Sequence, residues 1–212
     1  MTLSKPTSGR VFTAVVLLLV VAGCAPGASV YENPPLPADA PRVVIETNHG
    51  SIVVGLYEEQ SPISVANFLA YVDAGFFDGT SFHRVIPGFM IQGGGFVPLG
   101  NNRYQRKETR AAIALESDNG LKNVRGALTM ARGGMPNTGT SQFFVNLVDN
   151  QRLDRLGDVN LGYAVFGTVI EGMDVVDAIT AVETGVSPDA SLGSEVAVPV
   201  DPVVIISATR QN

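Results

Sequence analysis

The chain has 212 residues, room for one sizeable domain with appendages, and its 45% hydrophobic content and 23 glycines fit a globular, turn-rich body. Lys plus Arg is 14 against 20 Asp plus Glu, a net charge of −6, which argues against a nucleic-acid-binding surface. The one cysteine excludes a disulfide within the chain.

Residues 1–23 have the layout of a secretory signal peptide. Lys5 and Arg10 supply positive charge, and an apolar run from Val11 to Val21 is broken only by Thr13. The run is too short to span a bilayer comfortably as a helix. Val21-Ala22-Gly23-Cys24 resembles the bacterial lipoprotein signal, in which the cysteine is acylated and becomes the mature N-terminus. Cys24 is therefore expected to carry lipid and to tether the protein to a membrane, since two or more acyl chains anchor stably. The alternative is an ordinary secreted protein with a spare thiol at Cys24. Without Lys5 and Arg10 the mature chain carries 12 basic and 20 acidic residues, or −8, so lipid and not charge would do the tethering. Ala25 stands where an acidic residue would favour the inner membrane. The expected location is the periplasmic face of the outer membrane in a two-membrane cell, or the outer face of the plasma membrane otherwise.

Residues 24–41, rich in Pro and Ala without an apolar period, read as a flexible tether. From Arg42 a folded domain is expected to run to the C-terminus. VVIET (43–47) and SIVVGLY (51–57) flank Asn48-His49-Gly50 as a hairpin. Ser61-Pro62 opens a helix, with Ser61 as N-cap, Val65, Phe68, Leu69 and Val72 on one face, and Gly75 at its end. Short strands are expected at 82–86, 89–92, 126–131, 142–147 and 164–170. A second helix over Met173–Val182 and a last strand over Val203–Ala208 follow. Many short strands with two helices suggest a β-barrel or sandwich with helices over its openings.

Two histidines, His49 and His83, remain beside a cysteine assigned to lipidation, so no zinc spacing exists, and no EF-hand loop is present. No metal or cofactor is expected. A Ser-His-Asp hydrolase would need His83 with Ser81 or Ser141, but the chain has no G-x-S-x-G elbow. The Gly93–Gly95 run precedes Phe-Val-Pro and no helix, which suits a turn or close backbone approach better than phosphate binding.

Two segments are unusual. FHRVIPGFMIQGG (82–94) sets Arg84 on an apolar, strand-like stretch, and GALTMARGGMPNTGTSQFFVNL (126–147) leads through a loop into Gln142-Phe143-Phe144. With NFLAYVDAGFFDGTSFHR (67–84), ESDNGLKNVRG (116–126) and GYAVFGTVIEGMDVVDAI (162–179), they resemble the bacterial branch of the cyclophilin family of peptidyl-prolyl cis/trans isomerases. The resemblance runs in family order from Arg42 to the last strand. It implies a mainly β fold, a closed antiparallel eight-stranded β-barrel capped by two α-helices, acting on proline-containing polypeptides without a cofactor.

By that resemblance Arg84 is the catalytic donor and Gln92 orients it. Phe89, Met90, Phe144 and Leu153 surround an apolar slot for the proline ring. Gln142 binds substrate backbone, Ala131 and Arg132 with Gly133 wall a neighbouring subsite, and Tyr163 stands at the pocket edge. Alternation along 89–92 sets Phe89 with Ile91 and Met90 with Gln92, while Phe143, opposite Phe144, belongs to the core. The chain departs from the cyclosporin-sensitive members in having Arg152 in place of a tryptophan and Tyr163 in place of a histidine, which implies weak cyclosporin binding. An alternative reading keeps the fold but makes the protein a non-catalytic chaperone or scaffold for proline-containing segments. A monomer is the default.

Overall fold

The computed structural model describes residues 1–3, 31–101, 103–187, 192 and 197–211. The expected signal peptide beyond residue 3, the lipidation site Cys24 and the tether up to residue 30 lie outside the described residues.

The first hairpin forms where expected: β1 (Arg42–Thr47) and β2 (Gly50–Leu56) pair antiparallel, with Thr47 opposite Gly50. Helix α1 (Pro62–Asp73) follows and buries Val65, Phe68, Leu69 and Val72. Ser61 occupies the N-cap position but does not cap; its hydroxyl donates to the Val165 carbonyl at 2.7 Å. The exposed N–H groups of the first turn are met by Glu116, whose carboxylate accepts from the Ile63 and Ser64 amides at 2.9 and 2.7 Å. A negative charge there also complements the helix dipole. Sequence spacing points to a local cap, whereas the fold delivers one from 52 residues away.

The expected strand over 82–86 is interrupted. Its residues form β3 (Ser81–Phe82) and β4 (Arg84–Ile86), separated by His83 alone. Then come β5 (Met90–Gly93), the ribbon β6 (Phe96–Gly100) with β7 (Arg103–Arg106), β8 (Ala127–Met130), β9 (Phe143–Asn146) and a 3-10 turn at Gln151–Leu153. The chain continues through β10 (Val165–Glu171), α2 (Met173–Thr180), the pair β11 (Thr184–Gly185) and β12 (Val198–Pro199), and β13 (Val203–Gln211). The β6–β7 ribbon has no counterpart in the sequence reading, because FVPLGNNRYQR carries Pro and Gly inside its strands and shows no alternation.

The main sheet is antiparallel, in the order β3-β13-β1-β2-β10-β8-β9-β5-β4. Its two ends, β3 and β4, are consecutive in the chain, so the sheet curls into a nearly closed barrel whose seam is His83. Counting β3 and β4 as one broken strand gives the eight expected strands. The interior holds a cluster of aromatic rings centred on Phe143, which lies edge-on to Phe68, Phe77 and Phe82 at centroid distances of 5.5, 5.5 and 5.9 Å. Such edge-to-face pairs add to the burial gain of each ring.

Residues 31–41, the last part of the expected tether, lie against the barrel. Asn33 exchanges two hydrogen bonds with the Lys122 backbone, Tyr57 donates to the Pro34 carbonyl at 2.9 Å, and Leu36 packs against Tyr57, Leu121, Ala127 and Val165. The Tyr31 hydroxyl donates to Asp154 at 2.5 Å, and burial together with that carboxylate raises its pKa. A Pro-rich composition shows that a segment cannot form its own core. It is silent on whether a neighbouring surface offers it partners.

Replacing Phe143 by alanine removes the ring at the centre of this cluster and is expected to cost about 3–5 kcal/mol in urea denaturation. Ile206→Ala, on the exposed face of β13, is expected to stay within about 0.5 kcal/mol of wild type.

Candidate functional site: an arginine row over an apolar cleft

Arg84 stands opposite Gln92 in the β4–β5 register, Gln92 stands opposite Phe144 in β5–β9, and Phe144 opposite Thr129 in β8–β9. Directly paired residues project from the same face of a sheet. Arg84, Gln92 and Phe144 therefore form one row across three strands, roughly 10 Å wide at the usual strand spacing. One step along each strand the direction reverses. Val85, Ile91, Val145 and Leu128 form a row inside the barrel, none of them more than 1% exposed. The guanidinium is thus not misplaced among apolar residues; its apolar neighbours point the other way.

The outer row opens into a cavity of about 280 Å³ lined by Arg84, Phe89, Met90, Gln92, Ala131, Arg132, Phe144, Leu153 and Tyr163. The alternation expected over 89–92 fails at one residue. Met90 and Gln92 share the cavity face, but Phe89 lines it too and is not on the Ile91 side. The reason is local: Phe89 sits in the turn before β5, where the two-residue period does not operate. Phe143 is fully buried in the core, on the opposite face from Phe144.

The walls are held from behind. The Phe89 carbonyl accepts from the Leu147 amide and from Asn150 Nδ2, at 3.0 and 2.9 Å. The Tyr163 amide donates to the Leu153 carbonyl at 2.9 Å, and the Tyr163 ring meets Phe144 edge-on at 5.8 Å. Asn123, Thr129 and Asn146 lie beneath at 0% exposure and bond to one another, with Asn150 joined to Asn146 at 2.7 Å. These buried polar groups satisfy each other, which fixes the loop that carries Leu153.

Gln142 lies beside the main cavity, in an adjoining one of about 230 Å³ that it shares with Gln92, Arg106, Ala131, Arg132, Gly133, Thr138 and Thr140. Gln92 Nε2 donates to Gln142 Oε1 at 2.9 Å and joins the two cavities. The Gly93–Gly95 run is close-approach backbone: a β-carbon at Gly94 would meet the Phe143 and Phe77 rings at 2.9 Å, and one at Gly95 would meet Gln142 at 2.7 Å. Gly94 also has a φ of +81°, which glycine alone adopts at little cost.

Sequence reading missed Arg106, Thr138 and Thr140. Arg106 comes from the unpredicted ribbon, for which Gly100-Asn101-Asn102 was the available turn signal. Arg152 was noted only as a departure; its guanidinium lies 4.5 Å from the Phe89 ring centroid, a cation–π contact.

The profile described as cyclophilin type peptidyl-prolyl cis-trans isomerase/CLD matches residues 42–210. The chain belongs to the cyclophilin family. It is 41% identical over 201 residues to peptidyl-prolyl cis-trans isomerase A of Dickeya dadantii, covering 95% of this chain and 97% of that one. It is 50% identical over 168 residues to a Streptomyces antibioticus peptidyl-prolyl cis-trans isomerase, covering 78% and 96% of the two chains. A crystal structure of a Cryptosporidium parvum cyclophilin, determined in the presence of the dipeptide Ala-Pro, superposes with a TM-score of 0.65 at 29% identity, over 81% of this chain and 99% of that one.

In this cyclophilin the buried seam residue His83 carries a strongly shifted titration. Burial is the main cause, holding its imidazole down at about 4 from the usual 6.5. The unfolded chain therefore binds a proton between pH 6.5 and 4 that the folded chain refuses. Stability from this group is fully present above pH 6.5 and is lost as pH falls to 4, by about 3 kcal/mol at most. Denaturation midpoints measured across that window should fall for wild type and lose most of this slope in His83→Gln. Equal slopes would show that the carboxylates, not His83, set the acid sensitivity.

Proposed function

We propose that this protein is an active peptidyl-prolyl isomerase of exported proteins, with Arg84 as the group that stabilises the twisted amide. The observation that carries the reading is the Arg84–Gln92–Phe144 row opening onto one apolar-walled cavity.

Amide resonance sets a barrier of roughly 18–20 kcal/mol to rotation about an X-Pro bond. Rotation needs no bond broken in the substrate and no proton taken from it. As the bond twists, conjugation is lost and the proline nitrogen becomes pyramidal, with a lone pair able to accept a hydrogen bond. A fixed donor that meets this nitrogen only in the twisted state binds the transition state better than either ground state. A guanidinium suits the task, being always charged and carrying several donors in a rigid fork. Phe89, Met90, Phe144 and Leu153 hold the proline ring, so the remainder of the peptide turns relative to it. Gln92, facing Arg84 across the strand pair, limits where the guanidinium can lie. Gln142 and the 131–133 backbone contact the peptide on the side of the second cavity.

Arg84→Ala is expected to lower kcat/KM about 100-fold or more in a cis-to-trans proline-peptide assay. Arg84→Lys should recover little, because a point charge does not reproduce the fork. Wild-type rates equal to the uncatalysed rate would overturn the reading.

The sequence around Cys24 supports lipid anchoring in the cell envelope, where uncatalysed proline isomerisation in newly exported chains takes tens of seconds. Metabolic labelling with a fatty-acid analogue should mark the wild-type protein and leave Cys24→Ser unmarked and released from membranes. Labelling of both would place the lipid elsewhere.

A further inference from the structure

The protein is acidic, at −6, but its cleft is not. Among the residues lining the two joined cavities are three arginines, Arg84, Arg106 and Arg132, and no Asp or Glu. Arg152 adds a fourth cation above Phe89. Glu108, two residues after Arg106, is exposed and lines neither cavity, and two acids close to the cleft wall in the chain are engaged elsewhere. Asp154, directly after the wall residue Leu153, accepts from the Tyr31 hydroxyl and from Asn123 N and Nδ2. Asp149 accepts from the Arg125 amide. Among the described residues, the ion pairs Arg125–Asp177, Arg155–Asp158 and Arg210–Asp73 include neither Arg106 nor Arg132.

Arg132 is held in place. Its Nε donates to the Gly162 carbonyl at 2.9 Å, its Nη1 to the Gly133 carbonyl at 3.0 Å, and its guanidinium lies 4.6 Å from the Tyr163 ring centroid. These contacts use backbone carbonyls and a ring face. They leave the positive charge uncompensated and the Nη2 hydrogens outside those bonds. Arg106, exposed at the end of the β6–β7 ribbon, lines the same second cavity, together with Thr138, Thr140 and Gln142.

We propose that this cavity selects for a carboxylate side chain, Asp or Glu, on the substrate close to the isomerising proline, with Arg106 and Arg132 as the specificity-determining residues. The proposal rests on the isomerase reading, because it takes the proline to occupy the larger cavity. A carboxylate in the second cavity meets two guanidinium groups, the side chain best shaped to bind it. The acidic body does not cancel this attraction. At physiological salt, charges farther away than about 8 Å are largely screened, while groups within one cleft act on the ligand directly.

The test uses the full chain and a set of proline peptides in which one position, scanned over three residues on either side of the proline, is Glu, Gln or Lys. Binding by fluorescence anisotropy and kcat/KM are both measured. At one position or more, Glu should exceed Gln by about 3- to 10-fold, mostly through KM, and Lys should fall below Gln. The Glu/Gln ratio should approach one in Arg106→Gln combined with Arg132→Gln, and Arg106→Glu should shift preference toward Lys. Raising salt to about 1 M should shrink the ratio in the wild type, a readout that needs no variant to fold. Equal binding of Glu and Gln peptides at every position overturns the charge preference. Binding that favours Glu without any turnover upholds it and overturns the isomerase reading instead.

Discussion

One strand has to serve two neighbours. The segment Ser81–Ile86 pairs with β13 through Phe82 and Ser81 and with β5 through Arg84, Val85 and Ile86, and the chain changes partner at His83. That exchange brings the ends of the sheet together, and the nearly closed barrel depends on it. A buried imidazole at the seam has to stay neutral, and burial ensures this by depressing its pKa. The next residue is Arg84. Resuming the strand there, rather than one residue earlier or later, directs its guanidinium outward and Val85 inward. A slip of one residue would put a charge into the barrel and a valine into the cleft.

The functional row follows from that register. Arg84, Gln92 and Phe144 belong to three strands and are separated by up to 60 positions, yet antiparallel pairing sets them side by side. The ring of Phe143, fully buried among Phe68, Phe77 and Phe82, pins β9 from inside and so fixes the orientation of Phe144 outside. Core and site are the two faces of the same strands. Packing on one face determines geometry on the other, which lets a small barrel hold a donor in position.

Charge is distributed with the same economy. Several acidic residues are committed to bonds within the fold: Glu116 caps α1, Asp154 accepts from the Tyr31 hydroxyl and from Asn123, and Asp149 takes the Arg125 amide. The arginines near the cleft rest on rings and carbonyls, with Arg132 over Tyr163 and Arg152 over Phe89. Net charge alone describes an acidic protein. The residues lining the two joined cavities include three arginines and no Asp or Glu.

Much of this was legible in the residues. The hairpin at 48–50, both helices and most strands followed from periodicity and turn residues, and the set Arg84, Phe89, Met90, Gln92, Phe144, Leu153 and Tyr163 from the resemblance of contiguous segments to the cyclophilin family, because both kinds of pattern are local in the chain. What depended on distant partners could not. Glu116 caps a helix 52 positions away, residues 31–41 find a surface to lie on, Phe89 escapes its strand's alternation, and Arg106 reaches the cleft from a ribbon with no period. Sequence by itself determined which residues can act: an arginine, an amide and aromatic rings in recognisable order. Only the tertiary structure decided that they face one cleft, since the side on which a strand residue emerges is set by its register with a neighbour, and register is a property of the pair.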